Sequence, residues 1–177
     1  MTPDPLVAAG LRAAVVEVEL DASEAGWDRP ARLFALVGTM DLVEAEPALA
    51  AELGASDGEA SAFTAVEQEL AEHAGSLEEL LSQITWPDAV AGALAVVERV
   101  VLPPEAEAAV PDDPAEAARY AAGHQRREEV RIVAGVLRSG ESHCALRMRS
   151  HDVDDEVLNG ADLVPRLVQA LRETLEA

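Results

Sequence analysis

Apolar positions recur at three- and four-residue spacing in two stretches, one near each end of the chain. In residues 6–25, Leu6, Val7, Leu11, Ala14, Val15, Val18 and Ala22 share one stripe, which predicts an amphipathic helix that stops near Gly26. In the C-terminal stretch, Leu163, Val164, Leu167, Val168, Leu171 and Leu175 form the second stripe, with Asp162 placed to cap it. Between these stretches the period shortens. The run Arg32-Leu33-Phe34-Ala35-Leu36-Val37 reads as a buried strand, and residues 89–101, rich in Val and closed by Pro103-Pro104, read as another. Segments 128–137 and 142–149 predict a hairpin around Arg138-Ser139-Gly140, with Gly140 at the left-handed position of a bulge turn.

That hairpin fixes a register. Val130 faces Met148, Ile132 faces Leu146 and Ala134 faces Cys144 on one side, which is apolar and buried. The other side pairs Glu129 with Arg149 and crowds Arg131 against Arg147 at positions expected to be exposed. Shorter signals fill the remainder. Asp41 caps a turn holding Leu42 and Val43, Pro47 starts another through Leu53, and Ser76 with Glu79 forms a capping box for a helix over 77–84. Pro114 opens a helix to about Ala122, while 54–75 and 103–114 read as surface loops, the first with a brief extended piece at 63–66. The expectation is a single domain over 1–177, α+β, with an antiparallel sheet of four to five strands packed with the N- and C-terminal amphipathic helices.

Composition narrows the chemistry. The 177 residues hold 34 acids against 13 arginines and no lysine, a formal charge of −21. Without lysine there is no phosphate-loop lysine and no pyridoxal Schiff base. Cys144 is the only cysteine, so an intrachain disulfide, a Cys-x-x-Cys pair, a Cys-rich zinc site and an iron–sulfur cluster are excluded. No Gly-rich phosphate loop or Gly-x-Ser-x-Gly elbow is present, and no cofactor or metal is expected. No apolar run approaches the roughly 20 residues of a membrane span, and Met1-Thr2-Pro3-Asp4-Pro5 lacks a basic leader. A cytoplasmic protein with neither a membrane nor a nucleic acid as partner is expected, since so acidic a chain repels phosphate at long range. The charge is uneven. Residues 1–98 carry −16 and 99–177 carry −5, and 126–149 reverse the balance with 6 Arg against 3 Glu.

A resemblance emerges from several motifs together. They are Gly26-Trp27-Asp28-Arg29-Pro30 running into Leu33-Phe34-Ala35-Leu36-Val37, Glu46-Pro47-Ala48-Leu49-Ala50, Trp86-Pro87-Asp88-Ala89-Val90, and Val97-Glu98-Arg99-Val100-Val101-Leu102-Pro103-Pro104. Glu129-Val130-Arg131, Val136-Leu137-Arg138 and Ala145-Leu146-Arg147-Met148-Arg149 complete the set. The chain resembles an uncharacterised actinobacterial family named after a propionibacterial locus, over most of its length and least at 54–80 and 110–125. The resemblance implies an actinobacterial protein and supplies no catalytic residue.

The candidate site residues are therefore read from chemistry alone. Trp27 and Trp86, two of only five aromatics, each stand beside a proline turn and an Asp, either as exposed platforms or as plugs in an alanine-rich core. Arg131, Arg147 and Arg149 are the binding candidates, because adjacent guanidinium groups need an answering anion. That anion is either an acid of the N-terminal half or an acidic partner segment. His143-Cys144 with His151-Asp152 fails as a metal or thiol site, since neighbours on a strand point to opposite faces. Asp152, Asp154, Asp155 and Glu156 read as a solvated turn, and Glu98-Arg99 as a cross-strand ion pair. Three functions are open: first a non-catalytic protein-interaction or chaperone-like adaptor, then a small enzyme with dispersed carboxylate, Arg or His-metal groups, and last a charge mimic of nucleic acid, which the charge of −21 permits and the apolar content does not favour.

Overall fold

The computed structural model describes residues 2–55, 62–70 and 75–176. The chain opens with α1 (Pro5–Ala25), started by Pro5 and by the Asp4 carboxylate, which accepts from the Leu6 amide at 2.9 Å. Strand β1 (Arg32–Gly38) follows, then the short helices α2 (Thr39–Ala45) and α3 (Pro47–Glu52) and strand β2 (Phe63–Gln68). Helix α4 (Leu77–Leu81) carries the expected Ser76/Glu79 capping box. Next come β3 (Gly92–Val101), α5 (Pro104–Glu107), α6 (Pro114–Gly123), β4 (Glu128–Leu137), β5 (Ser142–Met148), β6 (Leu158–Gly160) and α7 (Pro165–Glu176).

All strand pairings are antiparallel, in the order β2-β1-β3-β4-β5-β6. Among the described residues the sheet thus has six strands where four to five were expected. The additions are β2, a full strand from Phe63 to Gln68 where only a brief extended piece at 63–66 within a loop was expected, and β6, three residues held against Cys144, Ala145 and Leu146. The loop expected at 56–61 and 71–74 lies outside the described residues. The 103–114 connection contains α5, whose Ala106 is buried. Helix α7 starts at Pro165, so Asp162 is not its cap.

The β4–β5 register matches the hairpin expectation, Val130 opposite Met148 and Ala134 opposite Cys144, and Gly140 has φ +112°. The sheet is covered on both faces. Leu33, Ala35, Ala93, Ala95, Ile132, Ala134 and Cys144 pack under α7 through Leu167, Val168, Leu171 and Leu175. The alternate residues Phe34, Leu36, Leu94, Val96, Val133 and Ala145 pack under α1 through Leu11, Ala14, Val15 and Val18. Gly135 lets α1 approach, because a Cβ there would stand 3.0 Å from Val15 Cγ2 and 3.1 Å from Leu11 Cδ1.

Double coverage corrects one expectation. Arg131 and Arg147 lie on the α1 face and are each only 1% exposed, so their strand positions are interior ones. The near-continuous apolar run Ile132 to Leu137 that follows Arg131 is the mark of a strand buried on both sides.

Candidate functional site

The expected arginine strip divides into three sites with different partners. Arg147 is closed. Its Nε and Nη2 donate to the two carboxylate oxygens of Glu19 at 2.5 and 3.1 Å, and Glu19 reaches down from α1 with 3% exposure. Nη1 donates to Asp152 at 3.1 Å and Nη2 also to Asp154 at 2.6 Å. Glu19 first, then Asp154 and Asp152, push the Arg147 pKa above the ordinary guanidinium value, against the opposing effect of burial. An acid of the N-terminal half therefore answers Arg147. The acidic turn, expected to be solvated, spends Asp152 and Asp154 on the same guanidinium.

Arg149 is half open. It donates to both carboxylate oxygens of Asp28, at 2.9 and 3.0 Å, and more weakly to Glu129 at 3.3 Å. The Glu129–Arg149 pair follows from the register, whereas Asp28 comes from the turn after α1, where it holds φ +63°. Its side chain, bonded by Arg149, has a pKa below the ordinary carboxylate value.

Arg131 is different. Nη2 donates to the Gly26 carbonyl at 2.7 Å, and Nη1 is buried with no hydrogen-bond partner among the described residues. The guanidinium lies 4.3 Å from the centroid of the Trp27 ring, and that of Arg149 lies 5.5 Å from it. Trp27 Nε1 donates to Asp152 at 3.0 Å, which joins the aromatic to the Arg147 cluster. Desolvation pulls the Arg131 pKa down, with Glu98 opposing it, although a guanidinium stays charged at any physiological pH.

Glu98 stands across β3 from Arg131 but is not in an ion pair. Its carboxylate accepts the amides of Asp28 at 2.8 Å and Arg29 at 2.7 Å and so holds the Trp27 turn in place. Arg99 bonds Glu78 of α4 instead, so the expected cross-strand pairing at Glu98-Arg99 is corrected. Trp86 is apart from all this. It is buried in the α7 face of the core, where its Nε1 donates to Thr174 Oγ1 at 2.9 Å. Cys144 is fully buried, and burial pushes its thiol pKa up, as suits an unreactive core residue. His143 meets Asn159 and His151 meets Glu156, and among the described residues no three His, Cys, Asp or Glu side chains are grouped to hold a metal.

Two concavities flank α1. One, about 570 Å3, runs between Ala9, Gly10 and Ala13 of the helix and Phe63, Thr64 and Ala65 of β2. The other, about 410 Å3, lies under the helix C-terminus and is lined by Ala22, Ala25, Pro30, Val96, Val97 and Arg131 among others. Asp21, Arg32 and Glu67 line both. Arg32 donates to Glu67 at 2.8 and 3.0 Å and to Asp21 at 2.9 Å, so one ion-paired ridge separates two parts of a single trough. Neither the trough nor its charge could be read from local sequence, because its walls are brought together by the crossing of α1 over β1 and β2.

The fold and site define a class of protein: an antiparallel sheet clamped between terminal helices, with an arginine–tryptophan network fastening the end of the first helix. Within that class the chain belongs to the PPA1309-like protein family, whose model matches residues 11–176. Comparison with curated proteins gave no match, and neither did comparison with solved structures. Among the described residues no helix is long and apolar enough to cross a membrane.

Proposed function

We propose that the protein is a non-catalytic interaction module that seats a segment of a protein partner in the trough beside α1. The observation that carries this reading is that Asp21, Arg32 and Glu67 line both concavities, so that the two lie end to end beside α1 from Ala9 to Gly26. Seventeen helical residues from Ala9 to Ala25 rise about 24 Å, which matches about seven residues of extended chain. The walls mix small residues, Ala9, Gly10, Ala13 and Ala65 among them, with charged ones. Strand β2 ends the sheet, so its outer edge has no strand partner among the described residues and offers backbone groups to an added strand. Glu17, Asp21 and Glu67 outnumber Arg32 along the larger concavity, and with a chain charge of −21 this favours a partner segment carrying basic side chains. Of the arginines first considered for contact, Arg147 and Arg149 support the turn, and Arg131 lines only the smaller concavity at the C-terminal end of the helix.

A photo-crosslinking residue at Ala13, exposed in the trough, and another at Ala122, exposed on α6, provide the test in the host cell. The reading expects a crosslinked peptide at Ala13 only. That peptide, made synthetically, should bind the protein and lose at least about tenfold in affinity to an Ala13→Trp variant that fills the trough. Equal crosslinking at both positions, or binding unaffected by Ala13→Trp, would refute it.

A further inference from the structure

Arg131 remains the one group of this network whose bonding is incomplete. A buried donor without an acceptor costs on the order of 1–3 kcal/mol, more when charged, so an unmatched guanidinium nitrogen in the interior requires an explanation. The neighbouring acids do not supply one. Glu98 accepts two backbone amides, Asp21 and Glu67 are spent on Arg32, and none of the three is within ion-pair distance of Arg131. Arg29, on the rim, uses Nε and Nη2 to cover the Ala25 carbonyl, which offsets the negative end of α1.

We propose that the 410 Å3 cleft beneath the α1 C-terminus is a binding site for a monocarboxylate with a small apolar body, its oxygens taken by Arg131. The size falls within the range of small-ligand sites, about 300–1,000 Å3. Ala22, Ala25, Pro30, Val96 and Val97 give apolar walls for the body. A singly charged, delocalised anion suits the fork of a guanidinium. A phosphate dianion would meet Asp21, Glu67 and Glu98 at close range and is disfavoured. The carboxylate is either a free short-chain acid or the C-terminus of a peptide, which share this chemistry. The cleft is the C-terminal part of the trough, so this inference assigns that part to a carboxylate and leaves the larger concavity to a partner segment; it stands whether or not such a partner is captured.

The experiment titrates the full chain with isobutyrate, with isobutyramide, and with a short Val-ended peptide in free-acid and amidated forms, at constant ionic strength. Readouts are the melting temperature and the assigned Arg131 Nε–Hε resonance. Isobutyrate or the free-acid peptide should raise the melting temperature and shift that resonance, by the linkage of ligand to the folded state. The acid that acts identifies the source. The amides should do neither, and Arg131→Met should weaken the effect at least about tenfold while Arg126→Met, at an exposed position, leaves it unchanged. If Arg131→Met does not fold, the wild-type resonance decides alone. An unmoved resonance with every carboxylate, or an equal shift with the amides, overturns the proposal and leaves the nitrogen merely hydrated.

Discussion

Arg147 and Glu19 stand 128 residues apart in the chain and meet as a two-point ion pair with both side chains buried. The pair ties the last third of α1 to the C-terminal end of β5, across the edge of the α1 core. Removing one member leaves the other charged in the interior, which costs about 3–5 kcal/mol. Arg147→Ala should therefore lower stability by that amount in urea unfolding, and it should not behave as a surface change. The double variant Glu19→Leu with Arg147→Met should recover much of the loss, since an apolar pair of similar volume avoids desolvation. A cost below about 1 kcal/mol for Arg147→Ala would contradict this account.

Acid should loosen the same region. Asp152 is held below its ordinary value of 3.8 by the Trp27 indole N–H and by Arg147, with burial opposing. A depressed carboxylate adds stability that is full above its unfolded pKa and is lost as pH falls through the folded one. The loss belongs below about pH 4, not near neutrality. Stability measured from pH 7 to pH 2 should fall more steeply in the wild type than in Asp152→Asn, which lacks the titrating group. Parallel curves would remove Asp152 from the acid response.

Much of the fold was legible because it is written in local periodicity. The stripes of α1 and α7, the Ser76/Glu79 box and the Gly140 turn each rest on neighbours in sequence, and the hairpin register followed from them. What could not be read locally was the second cover of the sheet. Alternation in β4 identified Arg131 as facing away from Ile132, but only the placement of α1 decides whether that side is solvent or core. The partners of Arg147 show the same limit. An acid from the N-terminal half was one of two answers, and choosing Glu19 requires knowing where α1 crosses. Strand β6, with three residues and no apolar pattern, carries no local signal at all.

Close approach of α1 to β4 gives another test. Gly135 sits where any Cβ would press on Val15 and Leu11 at 3.0–3.1 Å, and both of those are large core residues. Gly135→Val should displace the helix and cost about 1–3 kcal/mol by overpacking, with Gly135→Ala costing less. Urea unfolding of the two variants checks the order. A Gly135→Val protein as stable as the wild type would mean that α1 does not rest on β4 at this point.

Trp27 is held through its ring and through its edge, and substitutions can separate these contributions. The ring meets the guanidinium groups of Arg131 and Arg149, and the edge nitrogen donates to Asp152. Trp27→Phe keeps an aromatic face and removes the donor, so it should cost about 1 kcal/mol, the usual worth of one hydrogen bond. It should also raise the Asp152 pKa, because the largest contribution depressing it is gone. Trp27→Ala removes the ring as well, which leaves Arg131 without its stacking partner and frees the turn that Glu98 holds. Its cost should exceed that of Trp27→Phe by about 1–2 kcal/mol, the range of a partly desolvated cation–π contact. The check is denaturation of both variants together with a carboxyl-resolved NMR titration of Asp152. If Trp27→Phe leaves the Asp152 titration where it stood in the wild type, the indole N–H is not what holds that carboxylate, and the guanidinium groups of Arg147 and Arg131 must account for it.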